Sequence, residues 1–169
     1  MPKDAERGKT GGTPFRKEKS EMDTIFQSLQ QTTGRLNATA DAANELIRTT
    51  SERLERLGAG VSFASSECVL RTENLSRYNE DADREEDAGY DSCVLSYTKI
   101  HGVWQLGVQQ QHYVPARSGL SGCYDLVGSE EEPLLNADRE LRIKAASMLP
   151  DFLQEYTVHL STLADELPD

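Results

Sequence analysis

DSCVLSYTKIHGVWQLGVQQQ, residues 91–111, is the stretch of sequence that decides the fold. Two runs of strand-forming residues flank His101-Gly102, and glycine suits the positive φ that a two-residue hairpin turn requires. A turn at these positions fixes which residues face each other across the hairpin. The resulting pairs on one face are Leu95 with Val108, Tyr97 with Leu106, and Lys99 with Trp104. The opposite face is mostly polar, so the segment predicts a half-buried antiparallel hairpin.

Further strand signals on both sides of the hairpin predict a β-meander over residues 61–127. VSFASS indicates one strand from Val61, Cys68-Val69-Leu70 a second short strand, and GCYDLV at 122–127 a weaker edge strand. The acidic segment NEDADREEDAGYD, residues 79–91, has no periodicity and predicts a mobile loop. SEEEP, residues 129–133, is expected to lead into the last helix. We therefore expect an antiparallel sheet of about three to five strands.

A long helix is predicted over residues 20–57, where proline is absent and Gly58-Ala59-Gly60 supplies a stop. Its apolar and small residues alternate at spacings of three and four, with one extra residue near Gly34, as in a coiled coil with a single stutter. We call this stripe the apolar seam: Met22, Ile25, Leu29, Thr33, Leu36, Ala40, Ala43, Ile47, Thr50, Leu54 and Leu57. Such a helix would span about 57 Å, against roughly 40 Å for a domain of this size. It must bend at Gly34 or bind a partner.

A second helix is predicted over residues 136–167, with Asn136 as its N-cap and Pro150 as the site of a kink or restart. Its apolar stripe predicts that it is the main cover of the sheet. The elements together predict an α+β fold, with the sheet flanked by a long N-terminal helix and a kinked C-terminal helix. Residues 1–19 are predicted to form a disordered basic tail, and residues 20–169 a single domain.

The net charge of −11 is unevenly distributed. Residues 1–19 contain six basic and three acidic side chains, which leaves −14 for the rest of the chain. Such a body repels phosphates, so we expect no nucleic acid to bind through the folded part. The opening residues contain no apolar run typical of a signal peptide, and no segment has the roughly 18 apolar residues of a membrane helix. We therefore expect a cytoplasmic protein without membrane contact.

Residues that could carry chemistry do not form a motif. Cys68, Cys93 and Cys123 are widely spaced, which favours free thiols over a disulfide framework. These cysteines share no metal-ligand spacing with His101 or His112, so we expect no metal. Cys93 and His112 could approach each other across the hairpin, but a reactive thiolate needs an electropositive setting, which this acidic chain does not supply. Phosphate-binding glycine motifs are absent from the sequence. We expect no catalytic residue and no cofactor.

Two segments of the sequence match a recurring pattern. YTKIHGVWQLGV contains a tight glycine turn before a tryptophan, and PLLNADRELRIKAASMLPDFLQ opens the final helix. The matching positions are Gly102, Trp104, Pro133, Leu134, Leu135, Arg139, Glu140, Leu141, Arg142, Ala145, Leu149 and Pro150. Over roughly residues 90–167 the chain resembles a family of short uncharacterised bacterial proteins with no established activity. The resemblance implies the order helix, sheet, helix and a bacterial or phage origin, and it implies no catalytic residue.

Three functions remain open on the sequence. The first is a non-enzymatic protein–protein interaction module, acting as a homodimer or accessory subunit through Ile25, Leu29, Leu36, Ile47 and Leu54 of its long helix. The second is an acidic decoy or chaperone-like inhibitor that binds a basic protein surface.

The third function is a small-ligand sensor or enzyme with a pocket under the sheet. Tyr97 and Trp104, with Phe152, would line that pocket, although such aromatics also suit a plain core. Arg139 and Arg142 lie three residues apart at the start of the last helix. They could bind a carboxylate or phosphate, or pair with acids of the same chain.

Overall fold

The computed structural model describes residues 14–79, 84–116 and 122–166, which form two helices and one sheet. The sheet is antiparallel with the strand order β1-β2-β3-β4. The elements are α1 (Pro14–Leu57), β1 (Phe63–Asn79), β2 (Arg84–Ile100), β3 (Val103–Pro115), β4 (Tyr124–Pro133), a 3-10 turn (Leu134–Asn136) and α2 (Arg139–Glu166). The predicted α+β class, the antiparallel sheet and its two flanking helices are confirmed.

Helix α1 begins at Pro14, six residues before the predicted start at Ser20. Proline suits the first position of a helix, because its fixed φ is helical and no intrahelical hydrogen bond needs its missing N–H. The predicted disordered tail is therefore helical from residue 14, while residues 1–13 lie outside the described residues. Contacts divide the chain after Thr39 into two compact units. The first unit contains α1 up to Thr39, and the second contains the rest of α1, the sheet and α2.

The predicted hairpin is confirmed residue for residue. Strands β2 and β3 pair Leu95 with Val108, Tyr97 with Leu106, and Lys99 with Trp104. The turn residues His101 and Gly102 have φ values of 52° and 88°, the left-handed conformation that a two-residue turn requires. These two positions therefore set the register of the whole β2–β3 ladder.

The acidic loop predicted over residues 79–91 is wrong. Strand β1 continues to Asn79 and β2 begins at Arg84, so residues 84–91 belong to the sheet and residues 80–83 lie outside the described part. The register pairs Asn79 with Arg84 and Asp91 with Glu73. Main-chain pairing does not require apolar and polar residues to alternate. A strand without that alternation therefore cannot be predicted from the sequence pattern.

The two predicted strands at Val61 and Cys68 are one strand, β1, which is interrupted by register shifts between Ala64 and Arg71. Helix α2 supplies hydrogen bonds to this irregular segment. The Glu155 carboxylate accepts from the Ser65 hydroxyl and from the Ser66 amide at 2.9 Å, and Lys144 Nζ donates to the Leu70 carbonyl at 2.7 Å. Burial raises the pKa of Glu155, but the hydrogen bonds from Ser65 and Ser66 outweigh it and the pKa is lowered. The ionised carboxylate therefore holds α2 on β1.

The main core lies between one face of the sheet, α2 and the second half of α1. On the sheet it contains Leu95, Tyr97, Leu106 and Val108. The helices contribute Ile47, Leu54, Leu141, Ala145, Leu149, Phe152 and Tyr156. Helix α2 continues through Pro150, which is exposed, so the predicted restart does not occur. The β3–β4 pairing stops at Gly107, one residue short of Leu106. The Leu106 amide instead donates a hydrogen bond to the Ser51 hydroxyl of α1 at 3.2 Å.

Two predicted boundaries near the end of the sheet are wrong. Strand β4 runs over Tyr124–Pro133, so the segment 129–133, predicted as a connection, pairs with β3. Asn136 ends the 3-10 turn instead of capping a helix. Helix α2 begins at Arg139, and the Asp138 carbonyl accepts the first helical hydrogen bond from the Arg142 amide at 3.0 Å. Asp138 therefore occupies the N-cap position.

Replacing Gly89 with alanine is expected to destabilise the sheet. Gly89 has a φ of 108°, and a Cβ there would lie 1.9 Å from the Tyr113 carbonyl oxygen of the neighbouring strand. We expect Gly89→Ala to lower the free energy of unfolding by about 3 kcal/mol. Gly128→Ala is the control, because its Cβ would meet no atom within 4 Å. Urea unfolding of both variants is the measurement, and equal stabilities would contradict the geometry described for Gly89.

Candidate binding site: an acidic cleft on the sheet

Helix α2 covers only part of the sheet face that forms the core. Beyond Leu95 and Val108, the same face continues with polar residues. The register places Arg71, Cys93, Gln110 and Glu130 in one row across the four strands, and Glu73, Asp91, His112 and Gly128 in the next. This polar half of the face is open beyond the start of α2.

A cleft of about 350 Å³ lies between these rows and the first residues of α2. We call it the acidic cleft. Its acidic lining residues are Glu73, Asp91, Glu130, Glu131, Glu132 and Asp138. The Glu131 side chain accepts a hydrogen bond from Gln109 at 3.1 Å, and Gln109 lies on the opposite face of the sheet. Five carboxylates therefore face a cleft whose described lining contains one basic residue, Arg71.

Arg71 lies between two of these carboxylates. Its Nη2 is 3.1 Å from Asp138 Oδ2, and its Nη1 is 3.7 Å from Glu73 Oε1. The hydrogen bond to Asp138 raises the pKa of Arg71, and the negative charges of Asp138 and Glu73 add to that effect. The five carboxylates therefore outnumber the one guanidinium among the described lining residues, and the lining is net negative.

Cys93 lies half-buried on the floor of the acidic cleft. Burial raises its pKa; the charge of Arg71 lowers it, and the charges of Glu73 and Asp91 raise it again. The net shift is upward, so the side chain is a protonated thiol at neutral pH and a poor nucleophile.

His112 is held by a carboxylate and not by the cysteine. Its Nδ1 is 2.5 Å from Asp91 Oδ1, and both residues line a smaller cavity of about 340 Å³ that adjoins the acidic cleft. The register places His112 opposite Asp91 and places Cys93 opposite Gln110, one row away. The arrangement therefore suits the attraction of positive charge better than covalent catalysis. Within residues 14–79, 84–116 and 122–166, no three His, Cys, Asp or Glu side chains gather as a metal site.

The sequence-predicted residues of α1 separate into two groups. Ile25, Leu29 and Leu36 are exposed to 55%, 54% and 45%. Ile47 and Leu54 belong to the main core and are exposed to 1% and 7%. Ala40, Ala43, Ile47 and Leu54 of the apolar seam are therefore buried, whereas its last residue, Leu57, and the side chains of residues 21–39 are exposed.

The predicted aromatic pocket is filled by its own rings. Tyr97 and Trp104 stack with ring centroids 5.6 Å apart, and Tyr97 packs at 5.6 Å against Tyr156. Phe152 is fully buried in the same cluster. This packing does not favour a small-ligand pocket at Tyr97 and Trp104.

The predicted pair of arginines lies near the start of α2, beside the acidic cleft. Arg142 Nη1 donates to the carbonyl oxygens of Ala137 at 2.7 Å and Leu135 at 3.2 Å, so its guanidinium holds the backbone before α2. Arg139 is exposed in the first turn of the helix. The structure does not bring either arginine together with the predicted residues of α1 or with the buried Tyr97.

The residues of the acidic cleft escaped sequence reasoning for an identifiable reason. The hairpin register already placed Cys93 opposite Gln110. The sequence pattern places Asp91 at the boundary between the predicted acidic loop and the hairpin, and Glu130 in a predicted connection, so it does not put the two residues on one face of a sheet. Only a prediction that β4 extends to Pro133 would have shown that these acids share a face.

The reactivity of Cys93 provides a test of the electrostatics of the acidic cleft. Arg71→Gln removes the charge that lowers the Cys93 pKa, so we expect slower alkylation of Cys93 by iodoacetamide. Glu132→Gln removes a charge that raises this pKa, so alkylation should accelerate. Peptide mapping by mass spectrometry across a pH series measures both rates. The exposed Cys123 is the internal control, and a Cys93 rate unchanged in both variants would contradict the charge distribution.

No helix within the described ranges is both long and apolar enough to cross a membrane. No family model, no curated protein and no solved structure matches the chain, so its resemblance to the short bacterial proteins stays a prediction.

Proposed function

We propose that this chain is a non-enzymatic protein–protein interaction module that acts as a dimer or accessory subunit through helix α1. The observation that carries the proposal is the exposure of Met22, Ile25, Phe26, Leu29 and Leu36, each between 45% and 60%. Large apolar side chains that recur along one helix are typical of a surface that packs against another helix.

The apolar seam supports this proposal by its continuity. Ala40, Ala43, Ile47 and Leu54 of the seam are buried within the second unit, so this part of the seam already serves as a packing surface. From Met22 to Leu36 the seam again alternates at spacings of three and four, with its stutter between Leu29 and Thr33. Burying the exposed part of each large side chain would contribute about 1 kcal/mol. The four large seam residues Met22, Ile25, Leu29 and Leu36, together with the neighbouring Phe26, would stabilise a helix–helix contact substantially.

A partner would also stabilise the helix itself. Most helical stability in proteins comes from packing of an apolar face rather than from intrinsic propensity. The segment 24–34, TIFQSLQQTTG, contains three threonines and a glycine, which are weak helix formers. A partner packed on the seam would therefore add to the stability of this segment.

The double variant Ile25→Glu/Leu29→Glu tests the proposal. Two carboxylates in the seam would have to be buried in a helix–helix interface, so we expect binding to weaken at least tenfold. The measurement is capture of interacting chains, including other copies of this one, by the tagged protein from a lysate of its own host, read by mass spectrometry.

The matched control is Gln27→Glu/Gln31→Glu, which adds the same charge at the same spacing on polar positions of α1. The control should capture the same chains as the natural sequence. If the seam variant and the control capture the same set in the same amounts, the seam is not the binding surface and the proposal fails.

A second candidate function, an acidic decoy or chaperone-like inhibitor of a basic protein, is favoured by the acidic cleft. Five carboxylates of the cleft lie on one open face of the sheet and at the start of α2. Concave surfaces of one sign of charge focus the electric field and attract partners of opposite charge. Contacts of this kind weaken as salt screens them.

A hexa-arginine peptide is the probe for this second candidate. Glu130→Gln/Glu132→Gln removes two charges from the cleft, so we expect roughly tenfold weaker binding at low salt. Glu52→Gln/Glu55→Gln removes two exposed charges of α1 and is the control. Fluorescence anisotropy at low and moderate salt measures both. Equal weakening in the two variants would mean that net charge alone attracts the peptide, and would count against the decoy.

A further inference from the structure

We propose that the exposed part of the apolar seam, from Met22 to Leu36, binds a second copy of this chain. The two copies of α1 pack antiparallel, with the two-fold axis at Leu29. This inference rests on the proposed function and names the occupant of the same surface. In this arrangement Met22 lies opposite Leu36 of the other copy, and Ile25 lies opposite Thr33.

The absence of charge along the segment 24–34 favours a second copy. In a chain of which 28% of residues are charged, these eleven consecutive residues carry no charge. A seam built for an acidic or basic partner would present complementary charges beside its apolar residues. Two identical neutral surfaces can pack together without repulsion, as a self-complementary two-fold interface requires.

The net charge of the second unit favours the antiparallel orientation. Residues 40–169 contain 11 basic and 24 acidic side chains, a net charge of −13. Each such unit is joined to the C-terminal end of its own α1 segment. A parallel pair would join both acidic units at one end, whereas an antiparallel pair joins them at opposite ends. The overlap 22–36 is about 22 Å long, which exceeds the screening length.

The stutter of the seam is consistent with this register. Before it, Met22 and Leu29 occupy a positions and Ile25 a d position; after it, Thr33 occupies an a position and Leu36 a d position. In an antiparallel coiled coil, a residues pack against d residues of the partner. Met22 with Leu36 and Ile25 with Thr33 satisfy that rule on both sides of the axis, and the central layer pairs Leu29 with its own copy. The interface is short, so we expect a dissociation constant in the micromolar range.

Disulfide cross-linking of full-length chains tests the orientation. In a Cys123→Ser background, which removes the exposed native thiol, three variants are made: Met22→Cys, Leu29→Cys and Leu36→Cys. An antiparallel pair cross-links Leu29→Cys with itself and cross-links Met22→Cys only with a differently tagged Leu36→Cys. A parallel pair cross-links Met22→Cys with itself and Leu36→Cys with itself. Self-linkage of these two variants, without the mixed product, would overturn the proposal.

Sedimentation equilibrium of the natural sequence separates this inference from the proposed function. At roughly 100 µM, well above a micromolar dissociation constant, we expect a dimer that Ile25→Glu/Leu29→Glu converts to monomer and Gln27→Glu/Gln31→Glu does not. A monomer at that concentration would overturn the second-copy inference. The proposed function would still stand if the seam variant lost a different captured protein, and would fail with it if the seam variant lost none.

Discussion

The two-residue turn at His101 and Gly102 is the constraint on which the rest of the second unit depends. Both residues adopt positive φ, and a turn of this type leaves the flanking strands a single register. A shift of one residue would move Leu95, Tyr97 and Leu106 to the other face of the sheet. The position of the core, and therefore of every helix packed against it, follows from the conformation of two residues.

The acidic cleft follows from how far α2 extends over the face that this register creates. The helix begins at Arg139, so the apolar rows of the sheet lie under it and the polar rows lie beyond its first turn. Glu155 and Lys144 fix α2 to β1 through main-chain groups of an irregular strand, which leaves little freedom to cover the cleft. Arg142 holds the backbone before α2 in the same way. Side chains of α2 therefore determine where the core ends and the cleft starts.

The apolar seam of helix α1 is exposed in one part and buried in another. The seam continues with the same spacing through Thr39, where the first unit ends. After that point small residues such as Ala40 and Ala43 are buried, and Ile47 joins the core. Before it, larger side chains such as Ile25 and Leu29 are exposed. Isoleucine and leucine side chains are therefore buried in one part of the seam and exposed in the other, and the exposed part is the surface proposed for binding.

The sequence by itself determined the local features: the hairpin and its register, the end of α1 at Leu57, the apolar stripe of α2 and the α+β class. Each depends on turn chemistry or on the spacing of residues near one another in the chain, which can be read directly. Only the tertiary structure shows that residues 84–91 and 129–133 are strands. Their main chains pair with neighbouring strands, but their sequences lack the alternation of apolar and polar residues from which a strand can be predicted. The tertiary structure also decided the acidic cleft, since Glu73, Asp91, Glu130 and Asp138 come from different elements. Residues so distant in sequence meet only when the strands pair and α2 packs on them.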